Sequence, residues 1–345
     1  MSEDLRAPFP WFGGKLRASE LVWSRFGSGL GNYVEPFFGS GAVWLNRPDS
    51  FDGWAVVNDL DGNIANFWRA MQQAPDAVAE AADWPVNEAD LHARHLWLVN
   101  NLPKLSGRLM ADPEYCEART AGWWAWGVCS WIGGGWCDGT GPWTAQPDDD
   151  GVMSLTRNGG KGVNRKLPHL GDGGKGVNRK LPHLGDGGKG VFLRQWFQDL
   201  QAALRDTRIA CGDWERVCSP LSMTRNGPCA VLLDPPYSTT EAVYAHDSST
   251  VAHDVHQWCI TNGDNPELRI ALCGHAGDHD DLTALGWSVE TWEKGGGYQG
   301  ADDRERIWFS PSCISPEKYQ LHLFDLDLQG HPTQKPVAPT QGGLF

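Results

Sequence analysis

The chain's 345 residues make room for one large domain with an insertion or for two domains, and its net charge of −14 excludes a surface coated in positive charge for nucleic acid. Nine cysteines with no C-x-x-C pair and no metal-ligand spacing argue for reduced thiols over a disulfide framework, and no metal is expected. No apolar run approaches the ~18 residues a bilayer span needs and the acidic N-terminus is unlike a signal peptide, so the expectation is a soluble, cytoplasmic protein.

Trp11-Phe12-Gly13-Gly14-Lys15 comes first: an aromatic face, a flexible turn and a cation suited to a carboxylate, or equally a helix-leading turn with a solvated lysine. Tyr33 to Phe37 reads as the first strand. It runs through Glu35-Pro36-Phe37-Phe38-Gly39-Ser40-Gly41-Ala42, where glycines at a strand-to-helix junction let a ligand approach the backbone. Phe-x-Gly-x-Gly is not the Gly-x-Gly-x-x-Gly of a dinucleotide site. Without that phosphate cradle, a nucleoside-bearing cofactor lacking a pyrophosphate fits better than NAD. Trp54 to Val57 reads as the second strand and ends in Asn58-Asp59, an acid placed for ribose hydroxyls at the carboxyl end of a sheet. Asn63 to Trp68 opens a helix with apolar residues at three-to-four spacing.

The region 80–192 leaves this rhythm. A helical stretch leads into a Trp- and Gly-rich run from Gly122 to Trp143, weighed as the core of an inserted helical domain or as a stacking platform. After the acidic Asp148-Asp149-Asp150, a 14-residue unit, Gly159 to Asp172, recurs unchanged at Gly173 to Asp186. A third copy begins at Gly187, too few and too polar for a solenoid, so the repeat is expected as a duplicated surface loop. Between 151 and 195, Arg157, Lys161, Arg165, Lys166, Lys175, Arg179, Lys180, Lys189 and Arg194 face only Asp172 and Asp186. Basic, glycine-loosened loops in an acidic chain suit phosphate contact, and Lys161, Arg165, Lys166, Lys175, Arg179 and Lys180 are the candidate DNA-binding residues. A solvated insertion is the other reading. His169 and His183 belong to the repeat and are expected as loop residues, not ligands.

The alternating grammar returns with a helix from Leu193 to Leu204 and short strands at 208–211, 231–233, 268–272, 287–291 and 306–309, which predicts a parallel, doubly wound sheet. The apolar Ala230-Val231-Leu232-Leu233 stops in Asp234-Pro235-Pro236-Tyr237. There the Asp234 carboxylate and the Pro235 carbonyl are two acceptors, Pro236 supplies no competing N–H, and Tyr237 offers a ring to stack on. That set suits a planar heterocycle bearing an exocyclic NH2; the plainer reading is a strand followed by a stiff turn.

Taken together and in this order, these residues resemble the Dam-like, alpha-group family of N6-adenine DNA methyltransferases. The resemblance covers about 1–75 and 205–310 and adds Cys211-Gly212-Asp213-Trp214, similar to the segment whose acid meets the cofactor's adenine. It implies a Rossmann-like α/β methyltransferase sheet with a helical, loop-rich target-recognition insertion, S-adenosylmethionine as cofactor, and double-stranded DNA as substrate. It also implies Asp234, Pro235, Pro236 and Tyr237 as the catalytic motif. Trp11, Gly13, Gly14, Lys15, Glu35, Phe37, Gly39, Gly41, Asp59 and Asp213 would be the cofactor-binding set, with Lys15 near the cofactor's carboxylate end. The organisation expected is 1–79 and 193–312 as the two parts of the catalytic domain, 80–192 as the insertion and 313–345 as a tail. The insertion and its repeats depart from the family's pattern, which leaves the recognition sequence open. Methylation of the cytosine amine or of RNA, and a catalytically silent DNA-binding protein, stand as alternatives. In the tail, Gln320-Leu321-His322-Leu323-Phe324 resembles a sliding-clamp docking peptide, or else is a terminal apolar segment packing on the domain. His331-Pro332-Thr333-Gln334-Lys335-Pro336 resembles a cofactor-loop motif of a differently ordered methyltransferase group, but the chain ends nine residues later and it is read as a vestigial tail.

Overall fold

A computed structural model describes residues 5–9, 11, 15–131, 136–137, 143–147, 153–157, 190–236, 249–291 and 305–315. The described strands are β1 (Asn32–Glu35), β2 (Trp54–Asp59), β3 (Trp143–Pro147), β4 (Met153–Arg157), β5 (Thr207–Cys211), β6 (Cys229–Leu233), β7 (Leu268–His275), β8 (Ser288–Glu290) and β9 (Glu305–Phe309). The helices are α1 (Ser19–Phe26), α2 (Ala42–Leu45), α3 (Gly62–Gln73), α4 (Pro75–Ala82), α5 (Glu88–Ala111), α6 (Ala118–Ser130), α7 (Gly190–Leu204), α8 (Pro220–Met223) and α9 (Ser249–Asn262).

Seven strands form one sheet in the order β5-β2-β1-β6-β7-β9-β8. The first five run parallel, and β9 is antiparallel to both β7 and β8. β6 is buried at every position, as a continuous apolar run at the centre of a covered sheet must be. Side chains alternate between two cores, the period-2 consequence of the pleat. Tyr33, Val57, Leu232, Cys273 and Ile307 enter one with α1, α3, α4, α6 and α7. Val34, Val231, Leu233, Ile270 and Trp308 enter the other with α9.

The larger core continues into the Trp-rich segment. Trp124 and Trp126 of α6 are buried, and Trp124 packs edge-on to Phe9 and beside Phe67 of α3. Gly122 makes this possible, since a Cβ there would lie within 2.6 Å of both the Ala81 side chain and the Val78 carbonyl on α4. Side-chain caps start the helices: Asp61 accepts the Asn63 N–H, Asn87 that of Asp90 and Glu117 that of Thr120.

All seven expected sheet strands form, and two features differ from the expectation. β9 reverses direction, because a short apolar run specifies a strand without specifying its polarity. The antiparallel hairpin β3–β4, in register from Trp143 opposite Arg157 to Pro147 opposite Met153, appears where only helix and loop were expected. Its strands, Trp143–Pro147 and Met153–Arg157, are too polar to announce themselves, and the first ends in a proline. Among the described residues no helix is long and apolar enough to cross a membrane.

Candidate active site

The chain leaves β1 towards β2 and β5 on one side, and lays β6 and β7 on the other. At such a switch point the loops leaving the carboxyl ends of the two central strands diverge and open a crevice. Here those ends carry Glu35 and Asp234.

On the β1 side the glycine turn is shaped by contacts that only glycine permits. Gly39 sits at φ +47° and a Cβ on it would come within 2.6 Å of Trp11 Nε1; Gly41, at φ +61°, faces the Phe38 ring at the same separation. The Gly39 N–H donates to Asp59 Oδ2 at 2.9 Å, and its carbonyl accepts the Trp68 indole N–H at 2.8 Å. Asp59 Oδ1 accepts the Asp61 N–H at 2.9 Å. Burial, with the neighbouring charge of Asp61, raises the Asp59 carboxyl to about 7 against the pull of these backbone donors. With the Leu60 N–H a third backbone donor, the carboxyl's roughly four lone pairs leave one for a further donor. Asn58, 1 % exposed, ties the turn together by donating to the Pro36 and Gly212 carbonyls at 3.0 and 2.9 Å. Its own side-chain oxygen is buried without a hydrogen-bond partner among the described residues.

At the end of β5, Asp213 is exposed and caps a 3-10 turn by accepting the Glu215 N–H at 2.9 Å. The next residue, Trp214, stacks on Phe37 with centroids 6.2 Å apart, so the loops after β1 and β5 meet through two aromatic rings.

On the β6 side, Asp234 is 23 % exposed and accepts from Lys15 Nζ at 2.9 Å; Lys15 itself is 5 % exposed. Burial works against the Lys15 charge, but the fields of Asp234 and Glu305 and the hydrogen bond to Asp234 outweigh it, and the ammonium is held above its ordinary range. Glu35 is buried and accepts the Tyr33 hydroxyl at 2.8 Å. Burial, reinforced by the charges of Asp234 and Asp59, holds its carboxyl well above the usual range. Tyr33 lies between the Trp23 and Trp44 rings, 5.1 Å from each, which fixes the hydroxyl beneath Glu35. Buried Cys273 on β7 and buried Glu305 at the start of β9 complete the surroundings.

The fold therefore assembles Trp11, Lys15, Glu35, Phe37, Gly39, Gly41, Asp59, Asp213, Asp234, Pro235 and Pro236 around the carboxyl end of the sheet. Lys15, expected near a cofactor's carboxylate end, is bonded to Asp234. Gly13, Gly14, Tyr237, the basic residues Lys161, Arg165, Lys166, Lys175, Arg179 and Lys180, and the tail segments 320–324 and 331–336 lie outside the described residues. Glu305 was missed in the sequence: an acid opening a strand signals nothing until that strand's direction is known.

The geometry fits S-adenosylmethionine on three counts. The glycine turn brings backbone close to the crevice, Asp59 keeps an acceptor for a hydroxyl, and Asp213 and Asp234 place acids at the mouth, suited to a sulfonium cation. A family model described as D12 class N6 adenine-specific DNA methyltransferase matches residues 11–94, a stretch that includes the glycine turn and Asp59. No curated protein matches the chain.

Proposed function

The chain belongs to the D12 class of N6 adenine-specific DNA methyltransferases, which take their methyl group from S-adenosylmethionine, and from that premise we propose how its residues divide the work. The observation that carries the proposal is Asp234, bonded to the Lys15 ammonium at the end of the central strand and next to the glycine turn of β1.

Asp59 accepts the ribose hydroxyls and Asp213 meets the adenine of the cofactor. Trp11, Phe37, Gly39 and Gly41 form the walls, and Glu35, its carboxyl raised by burial, lies at the end of β1 beside them. Bound there, S-adenosylmethionine supplies an electrophilic methyl group on sulfur. The adenine amine is a poor nucleophile because its lone pair is delocalised into the ring. Asp234 accepts one N6 hydrogen and the Pro235 carbonyl the other, which favours a tetrahedral nitrogen with a localised lone pair. Asp234 also receives the proton that the methylated nitrogen must shed. Tyr237 stacks on the target base, which leaves the duplex at a cost of a few kcal/mol.

We extend the proposal to the partners. Lys161, Arg165, Lys166, Lys175, Arg179 and Lys180 contact phosphates of a specific DNA site, and Gln320–Phe324 docks on a sliding clamp in the cytoplasm.

Expression in a methylation-deficient bacterium, followed by single-molecule modification mapping of its genome, tests the assignment. N6-methyladenine is expected in one short motif with the wild-type chain and is lost with Asp234→Asn. The Asn variant is preferred to Ala because it keeps an acceptor for Lys15. Asp234→Ala strands a buried ammonium and is expected to cost stability as well, by about 2–4 kcal/mol. Retention of the mark in Asp234→Asn would remove Asp234 from the mechanism.

A further inference from the structure

We infer that Lys15 is a positioning residue for methyl transfer, acting through Asp234 by holding its carboxyl in place with a buried charge, and not a ligand of the cofactor's carboxylate. The inference rests on the reading of Asp234 as acceptor of the target amine.

Three observations carry it. The first is placement. The Lys15 ammonium lies 2.9 Å from Asp234 Oδ2 across 219 residues of sequence, with the side chain 5 % exposed, so its charge is committed inside the protein and not offered to the crevice. The second is anchorage. The Lys15 carbonyl accepts the Ala18 N–H at 3.0 Å, Ser19 Oγ donates to the Leu16 carbonyl at 2.7 Å, and Ala18 and Ser19 are buried where the 3-10 turn enters α1. The stem therefore starts from fixed backbone, and the ammonium is aimed by it.

The third is the company it keeps. The groups facing this cluster are Tyr33 and Glu35 from β1, Asp59 from β2, Asp234 after β6, Cys273 from β7 and Glu305 from β9. Four of these are carboxyls, and Lys15 is the cation that the described residues bring to them. Carboxyls gathered in a partly buried site raise one another, and a cation bonded to one of them opposes that rise. Glu35, whose hydrogen-bond partner is a neutral phenol, is raised well above the usual carboxylate range by burial and by the charges of Asp234 and Asp59. Asp234, by contrast, has the Lys15 ammonium bonded to it. Only an ionised Asp234 can accept the amine hydrogen while remaining free to take the proton released after transfer, so the lysine governs the reaction without touching base or cofactor.

The test uses the full chain with Lys15→Met, a substitution that fills the buried slot without the charge. DNA methylation is followed across pH, and S-adenosylmethionine binding is measured separately by calorimetry. Cofactor affinity is expected to stay within about twofold of wild type. The acid limb of the pH profile is expected to move up by about 1–3 units, so that the rate on that limb falls about tenfold or more and recovers as pH rises. Lys15→Arg, which keeps the charge, should leave that limb in place. An unmoved limb combined with weakened cofactor binding would overturn the inference and make Lys15 a cofactor ligand. If Lys15→Met proves too unstable to assay, Lys15→Met/Asp234→Asn decides by its thermal midpoint: higher than the single variant supports the charge pairing, and no recovery overturns it. Absence of methylation by the wild-type protein, by contrast, would sink the functional reading itself and the inference with it.

Discussion

Asp59 is asked to hold two backbone N–H groups while partly buried beside Asp61. Its carboxyl is raised to about 7 in the folded protein, against an ordinary value near ~3.9 in the unfolded chain. Between those values the folded state binds more protons, so this group's contribution to stability falls as pH rises from about 4 to about 7, and the penalty is complete above that. Ribose hydroxyls donate to the ionised form. S-adenosylmethionine affinity is therefore expected to rise roughly 10–30-fold from about pH 5.5 to 7.5, and Asp59→Asn should flatten the dependence. Calorimetric titration at both pH values checks this, and a flat wild-type profile would remove Asp59 from the cofactor site. The type of acid and its place at a strand's end were legible in the sequence. Its raised carboxyl was not, because that depends on how deeply the folded chain buries it.

The element with most to explain is β5, an edge strand whose outer carbonyls would invite another chain to pair with it. Side chains cap them in turn: Gln72 Nε2 donates to the Thr207 carbonyl at 2.8 Å, Arg69 Nε to Ile209 at 2.8 Å, and Arg216 Nη1 to Cys211 at 2.9 Å. Arg69 is the strongest of these, since its Nη1 also reaches the Leu109, Asp112 and Tyr115 carbonyls at the end of α5. Arg69→Met is expected to cost about 2–4 kcal/mol, from buried carbonyls left unpaired, and to make the protein prone to self-association. Urea unfolding and sedimentation would measure the two effects; wild-type stability in both would show that water serves the carbonyls as well. Nothing in the sequence marks Arg69 for this duty, because its partners lie 40 to 140 residues away.

Across the whole molecule, charge is divided unevenly. The segment 151–195 is strongly basic and the remainder strongly acidic, which leaves that segment as the natural counterpart of a polyanion. Deleting Gly173 to Asp186 removes Lys175, Arg179 and Lys180 together with Asp186. The variant is expected to fold, to bind DNA more weakly, and to show a log–log salt dependence shallower by about 2–3. Fluorescence anisotropy over a salt series reads the slope; an unchanged slope would free the repeat of any phosphate contact.

The sequence alone determined the seven sheet strands, the glycine turn, the acid after the second strand and the Asp-Pro-Pro-Tyr stop, because each is written in neighbouring residues whose periodicity, burial pattern or backbone restriction is local. Only the tertiary structure decided the rest. The direction of β9 brings Glu305 to the carboxyl end of the sheet, opposite His275; a parallel β9 would have put it at the other end. Lys15 finds Asp234 because α1 packs against the sheet and carries the segment before it over β6. Gly122 lets α6 close on α4, drawing the tryptophans of 123–126 towards the core that supports the glycine turn. Those outcomes depend on many weak contacts between distant segments summed at once, and no window of the chain contains that sum.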